Sequence, residues 1–420
     1  MNKIKKLLKI LGPGFITGAS DDDPSGIATY SQAGALFGFG QLWTAPFSFP
    51  LMTAVQEMCG RIGLVSGKGL AGVIRANYSK KILYLAVFLL VIANTINIGA
   101  DLGAMAASAQ LLVGLPFVFW LLFMVAITLL LEVFVSYKTY SKYLKYLTFA
   151  LFSYVATAFV VKIDWRTVFF STVLPQLEFS KVYLLNIVAI LGTTISPYLF
   201  FWQASEEVEE EVAHHKLRAM GAGQPKVVPK DISRLRLDTA IGMFFSNLIM
   251  WFIIITAGAT LFPHGISAIK SASDAAAALK PLAGDLAFFL FALGIIGTGL
   301  LAVPILCGSA SYAISESFGW KEGLYMKPKK APGFYGVIII ATLIGVLINF
   351  IGISPIAALY YTAVINGIIA PPLLVIILLI ANNKKIMGER VNNKLLNALG
   401  IITVAVMSVA AAVLLFTWKS

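Results

Sequence analysis

Gly12-Pro13-Gly14-Phe15-Ile16-Thr17-Gly18-Ala19-Ser20-Asp21-Asp22-Asp23-Pro24-Ser25-Gly26 lies inside an apolar stretch that runs from residue 11 to 39. One continuous helix does not fit this segment. Pro24 disfavours helical geometry at Asp23, and Gly26 adds backbone freedom. Ile27 to Phe39 can resume a helix, so the stretch reads as two half-helices joined by an unwound, aspartate-rich segment. Within a bilayer, unwound backbone survives only where it faces a cavity or a ligand. Each ionisable group there is a functional candidate by default.

The rest of the chain supplies the bilayer. Of 420 residues, 59% are apolar and 12% charged, with a mean hydropathy of +0.85. Soluble domains carry about a quarter charged residues, so a soluble globular reading is excluded, as are collagen-like, coiled-coil, disulfide-scaffold and disordered ones. Apolar stretches at 11–39, 41–60, 83–112, 114–135, 146–161, 183–204, 239–261, 284–314, 333–351, 355–381 and 395–418 make eleven candidate spans. The basic start Met1–Lys9 resembles a signal-peptide n-region, but no small-residue cleavage site ends the following run, and it is kept as mature sequence. Cys59 and Cys307 both sit in apolar segments and form no metal cluster by themselves.

With a cytoplasmic N-terminus, the segments 3–9, 61–81, 138–145, 216–236, 321–330 and 384–394 hold 26 of the 32 Lys and Arg residues. That bias implies an N-in, C-out multi-pass protein of the plasma (inner) membrane. It also accounts for the net charge of +12 without nucleic acid. No cation is left for the middle of a span, so acids there are expected to lack a Lys or Arg partner. Asp21, Asp22, Asp23, Glu57, Asp101 and Glu132 lie in or at the ends of spans. Glu57 and Glu132 are close enough to inner ends to reach water, whereas Asp101 is mid-span.

The sixth span has a matching interruption, Leu191-Gly192-Thr193-Thr194-Ile195-Ser196-Pro197-Tyr198. Paired Gly/Pro breaks at corresponding places in two halves point to a transporter site between inverted repeats. The expected architecture is an all-α polytopic protein with 5+5 repeats. Residues 1–162 form the first repeat, 183–381 the second, and 395–418 an appended span, all within one transporter domain. The blander alternative is that each proline only kinks its helix. Carboxylates, freed carbonyls and hydroxyls make an oxygen-rich, net-negative cage suited to hard divalent cations. A triple aspartate opposes the substrate carboxylate of an amino-acid permease.

At these residues the sequence resembles the NRAMP family of divalent-metal transporters. The resemblance rests on Gly12-Pro13-Gly14 before Asp23-Pro24-Ser25-Gly26, on Ile195-Ser196-Pro197-Tyr198, and on Ala100-Asp101-Leu102-Gly103-Ala104 in span 3. It extends over the eleven-span layout and implies the leucine-transporter fold with broken helices 1 and 6 plus an eleventh helix. The implied metal-site residues are Asp23, Gly26, Thr193 and Ser196. Asp22, Asn366 and Tyr198 are expected around the site or on its approach, and Asp101 on a proton or ion path.

Several positions depart from the family pattern. Its Asp-Pro-Gly-Asn has Gly26 in place of Asn. Its Met-Pro-His has Ser196 in place of the thioether and Tyr198 in place of His. Ala104 replaces the second acid of its span 3 Asp-x-x-Glu path, and no arginine falls in span 9. These changes resemble the NRAMP-related magnesium-transporter branch. Loss of sulfur removes a preference for softer metals, and a shortened ligand enlarges the cage for an ion that keeps some water. The expected activity is secondary transport of Mg²⁺ and/or Mn²⁺ by alternating access, without proton coupling. The alternatives are proton-coupled Mn²⁺/Fe²⁺ uptake of the ordinary family type and, further off, an amino-acid permease of the same fold.

The remaining features have bland readings. Glu206 to Glu211 with His214 and His215 read as a solvated helical extension, and His264 as a turn residue. Asn366-Gly367 before Pro371-Pro372 interrupt span 10. Asn94 and Asn97 read as interhelical hydrogen-bond partners. No Walker A, metalloprotease, GxSxG or CxxC pattern appears, so neither ATP-driven pumping nor enzyme chemistry has support. No cofactor is expected, since the divalent metal is the cargo. The expected partners are that cation and the bilayer, with no nucleic acid and no obligate protein partner.

Overall fold

The computed structural model describes residues 11–135, 137–267, 269, 271–351 and 355–418. The segment 3–9 used above in the charge count lies outside the described residues. Span 1 is indeed two helices, α1 (Pro13–Ser20) and α2 (Pro24–Phe37). Span 2 is α3 (Thr44–Ser66), followed by the short α4 (Leu70–Asn77). Span 3 is α5 (Lys80–Val113) and span 4 is α6 (Phe117–Phe134). Span 5 comprises α7 (Tyr137–Leu147), a 3₁₀ turn (Thr148–Leu151) and α8 (Phe152–Val160), and α9 (Trp165–Val173) links it to span 6.

Span 6 is also divided, into α10 (Lys181–Thr194) and α11 (Pro197–Ala213). Then follow α12 (Pro229–Thr260, span 7), α13 (Ala272–Phe318, span 8) and α14 (Pro332–Ile348, span 9). The chain ends with α15 (Pro355–Asn382, span 10), the short α16 (Lys384–Met387) and α17 (Lys394–Trp418, span 11). The helical stretches of spans 3 to 8, 10 and 11 are each long and apolar enough to cross a membrane. Gly284, at φ 87°, breaks α13 at the position where the sequence places the start of span 8.

Both breaks restart the same way. Pro24 and Pro197 occupy the first turns of α2 and α11, where a missing N–H is not needed. Asp23 precedes Pro24 in extended geometry (φ −68°, ψ 167°), and Ser196 does the same before Pro197 (φ −85°, ψ 132°). Most residues of α6 and α17 are left uncovered by the rest of the protein, which places these helices on the rim of the bundle and the broken helices in its interior. The central packing is reciprocal. α1 and α2 lie on α12, α11 lies on α3, α5 crosses α13 and α15, and α13 crosses α8.

Three expectations need correction. Span 10 is a continuous helix through Asn366-Gly367, because Pro371 and Pro372 are accommodated within it. The acids after Glu206 do extend a helix but are not solvated: Glu206, Glu207, Glu209 and Glu211 are all buried. Glu209 accepts from the Tyr312 hydroxyl at 2.5 Å and the Leu324 N–H at 2.6 Å. Burial and the neighbouring Glu316 and Glu209 push the nearby loop carboxyl of Glu322 well up. Finally, Glu132 is buried and does not reach water, and Glu57 has a cation partner, Arg236, at 3.0 Å, because α12 starts ten residues earlier than its apolar run.

Candidate functional site

The unwound segment sends its three carboxylates to different places. Asp21 accepts from the Ser246 hydroxyl of α12 at 2.7 Å. Asp22 is fully buried and does not reach the cavity described below. Asp23 caps α2: one oxygen accepts from the Gly26 N–H and the Ser25 hydroxyl, each at 2.6 Å. Its other oxygen accepts from Asn97 Nδ2 of α5 at 3.0 Å. Among the described residues no three His, Cys, Asp or Glu side chains converge, so one carboxylate, not three, supplies the charge.

That carboxylate borders a small cavity of ≈ 30 Å³. Its walls are Asp23, Ser25 and Thr29 from span 1, Asn97 from α5, Gly192, Thr193 and Ser196 from span 6, and Thr362 and Asn366 from α15. About 10–15 Å³ of such space already holds one water, so the cavity has room for an ion that keeps some of its hydration. None of the lining residues carries sulfur. Ser196 donates to the Gly192 and Thr193 carbonyls at 2.8 and 2.7 Å, and Thr193 donates to the Ile190 carbonyl at 2.9 Å. Both hydroxyl oxygens keep lone pairs for a cation.

The structure therefore brings together Asp23, Thr193, Ser196 and Asn366. It does not bring Gly26 to the cavity: the Gly26 N–H is spent on Asp23, and a β-carbon there would lie 3.2 Å from the Asp21 carbonyl oxygen. Tyr198 stands one layer away and donates its hydroxyl to the Ser20 carbonyl at 3.0 Å. Asp101, one turn beyond Asn97 on α5, is fully buried, with the Ser25 N–H and the Asp23 carboxylate as polar neighbours.

Sequence reasoning passed over Asp238. It accepts from the backbone N–H groups of Gly12 and Gly14, both at 2.8 Å, and of Phe15 at 3.3 Å. A carboxylate from span 7 thus caps the positive end of α1. The available signal was an aspartate directly before the apolar run starting at residue 239. Alongside the cap, α1 and α12 meet backbone to backbone, and a β-carbon on Gly18 would lie 2.7 Å from the Gly242 Cα. This contact closes one side of the break, and the cavity lies among Asp23, Asn97, Thr193, Ser196 and Asn366.

Comparison with known proteins bears on the family and the fold. A family model described as Nramp, natural resistance-associated macrophage protein-like, matches residues 14–417. The chain is 23% identical to the divalent metal cation transporter MntH of Caldanaerobacter subterraneus, over 99% of this chain and 94% of that protein. It is 25% identical to MntH of Yersinia enterocolitica, over 95% and 93%. Among solved structures, the Eremococcus coleocola manganese transporter superposes with a TM-score of 0.74 at 18% identity, covering 97% of this chain and 86% of that one. Mhp1, a nucleobase-cation-symport-1 family transporter in a closed conformation, gives 0.62 at 12% identity, over 97% and 93%. Both share the leucine-transporter fold, which is the fold of this chain.

Proposed function

The chain belongs to the Nramp family, and from that premise we propose that it is a secondary transporter of divalent metal cations, with Asp23, Thr193 and Ser196 among the ligands. The observation that carries the reading is the Asp23 carboxylate at a helix break, facing a cavity walled by hydroxyl and amide oxygens. The names of the MntH relatives, divalent metal cation transporters, support carriage over enzyme chemistry. The 5+5 division, residues 1–162 against 183–381 with 395–418 appended, is supported by the reciprocal packing: span 1 on span 7 mirrors span 6 on span 2. The basic end of the bundle is then cytoplasmic by the positive-inside rule.

We read the state described as sealed towards the cytoplasm by α1 on α12 and approached from outside through Thr29, Gly192 and Thr193. Alternating access would release α1 from Asp238 and Gly242 and close α2 and α10 over the ion. The cargo is Mn²⁺ and/or Mg²⁺. Manganese is favoured by the relative of known structure. Magnesium is favoured by the sulfur-free walls. Side-by-side titration of the purified protein with Mn²⁺, Mg²⁺ and Ca²⁺ tests both. Binding that survives Asp23→Ala would overturn the site.

Transport is uncoupled from protons in this reading. Tyr198, Ala104 and the cation-free span 9 lack the groups that continue the family's relay beyond Asp101. Two charges moving inward across 100 mV gain roughly 4.6 kcal/mol without a proton.

A further inference from the structure

Asn97 is joined to the cavity in a way that a purely structural asparagine is not. Its side chain is 4% exposed and lines the space beside Asp23. Its Nδ2 donates to Asp23 at 3.0 Å. A carboxylate only accepts, so the amide nitrogen must face Asp23, and that fixes the amide's orientation. The carbonyl oxygen is then left on the other side, buried and without a hydrogen-bond partner among the described residues. A buried, unpaired amide carbonyl costs on the order of 1–3 kcal/mol, so a site that keeps one has a use for it. The Asn366 carbonyl oxygen, also on the cavity wall, is likewise buried and without a partner among the described residues.

We propose that Asn97 of span 3 is a specificity-determining ligand residue, whose amide orients Asp23 through its N–H and offers its carbonyl oxygen to the divalent cation. The inference rests on the reading of Asp23 as the metal carboxylate. It explains how the site forgoes an amide at position 26: the Gly26 N–H is committed to Asp23 and its surroundings are closed, so the amide oxygen enters from α5 instead. A neutral oxygen adds coordination without adding charge. It thus favours divalent ions over the trivalent ones that a second carboxylate would attract, and it lends no soft character to the cage.

The test is titration of the purified full chain with Mn²⁺ alone and Mg²⁺ alone, at constant pH 8, with thermal unfolding to confirm that each variant is folded. Asn97→Ala should raise Kd about tenfold, in the range seen when ligand-supporting groups are removed. Asn97→Asp keeps an oxygen towards the cavity and loses the donor to Asp23. It should bind Mn²⁺ at least as tightly as the parent. Asn97→Asp binding no better than Asn97→Ala would reduce Asn97 to a positioning residue and overturn the proposal, as would an unchanged Kd in Asn97→Ala. Asp23→Ala separates the two readings. If it leaves binding intact, the metal site itself is misplaced; if it abolishes binding while the Asn97 pair fails, only the role of Asn97 is wrong.

Discussion

The Tyr198 hydroxyl donates to the Ser20 carbonyl at 3.0 Å, and so ties the break in span 6 to the break in span 1 across 178 residues of sequence. Ser20 ends α1, and its carbonyl is one that no further turn of helix satisfies. Tyr198 is held in turn from span 8, where the Ser309 hydroxyl donates to its backbone carbonyl at 2.7 Å. The two interruptions are therefore a single hydrogen-bonded unit.

Replacing Tyr198 by His puts a titratable ring where a phenol now stands. The imidazole is neutral above about pH 6.5 and cationic below it. The cationic form beside the Asp21–Asp23 segment opposes a divalent ion, so uptake by Tyr198→His should fall several-fold between pH 7 and pH 5.5. The parent, which has no imidazole there, should fall less over the same range. Metal flux into proteoliposomes at matched inner and outer pH measures this, and a flat profile in the variant would refute it.

Ser196→Met brings a thioether to a cavity of ≈ 30 Å³ that has none. Sulfur favours Cd²⁺ and Mn²⁺ over Mg²⁺, and the longer side chain takes space from any retained water. The ratio of Cd²⁺ to Mg²⁺ affinity should rise by at least tenfold, read by competition titration. An unchanged ratio would mean that Ser196 does not face the ion.

If transport is uncoupled, Mn²⁺ uptake driven by a clamped inside-negative potential should leave the lumen pH of proteoliposomes unchanged. A pH-sensitive dye inside the vesicles reads it. Stoichiometric acidification that vanishes in Asp101→Asn would show that Asp101 carries a proton.

Asp238→Ala removes the acceptor for three backbone N–H groups at the start of α1. Loss of a helix cap costs about 1 kcal/mol, enough to shift a balanced equilibrium several-fold towards the state with α1 released. A cysteine introduced by Thr17→Cys should then be labelled faster from the cytoplasmic side in the Asp238→Ala background. Equal labelling rates would show that the Gly18–Gly242 contact alone holds α1.

Legibility followed the range of the interactions. The breaks were readable because Pro24 and Pro197 act on their immediate neighbours, whatever the rest of the chain does. Asp23, Thr193 and Ser196 were readable because each lies on or beside a break. Asn97 read as an ordinary interhelical asparagine, since nothing local says that span 3 passes Asp23 at that height. The burial of Glu206 to Glu211 was not legible, because an acidic run looks solvated until Tyr312 and the 320–331 loop close over it.

The sequence by itself determined a membrane protein with two unwound helix centres, one of them carrying aspartates. Composition, proline geometry and the bilayer's intolerance of unpaired backbone each act over a few residues or on the whole chain at once. Only the tertiary structure decided where Asp21 and Asp22 go, away from the cavity that Asp23 borders. Successive residues of an unwound strand point in different directions, and Ser246 of span 7 and Asn97 of span 3 take Asp21 and Asp23 to different neighbours. The same is true of the Asp238 cap on α1, made between residues more than 220 positions apart. Its strength comes from the helix end and the carboxylate being held together by the packing of spans 1 and 7, which no local pattern encodes.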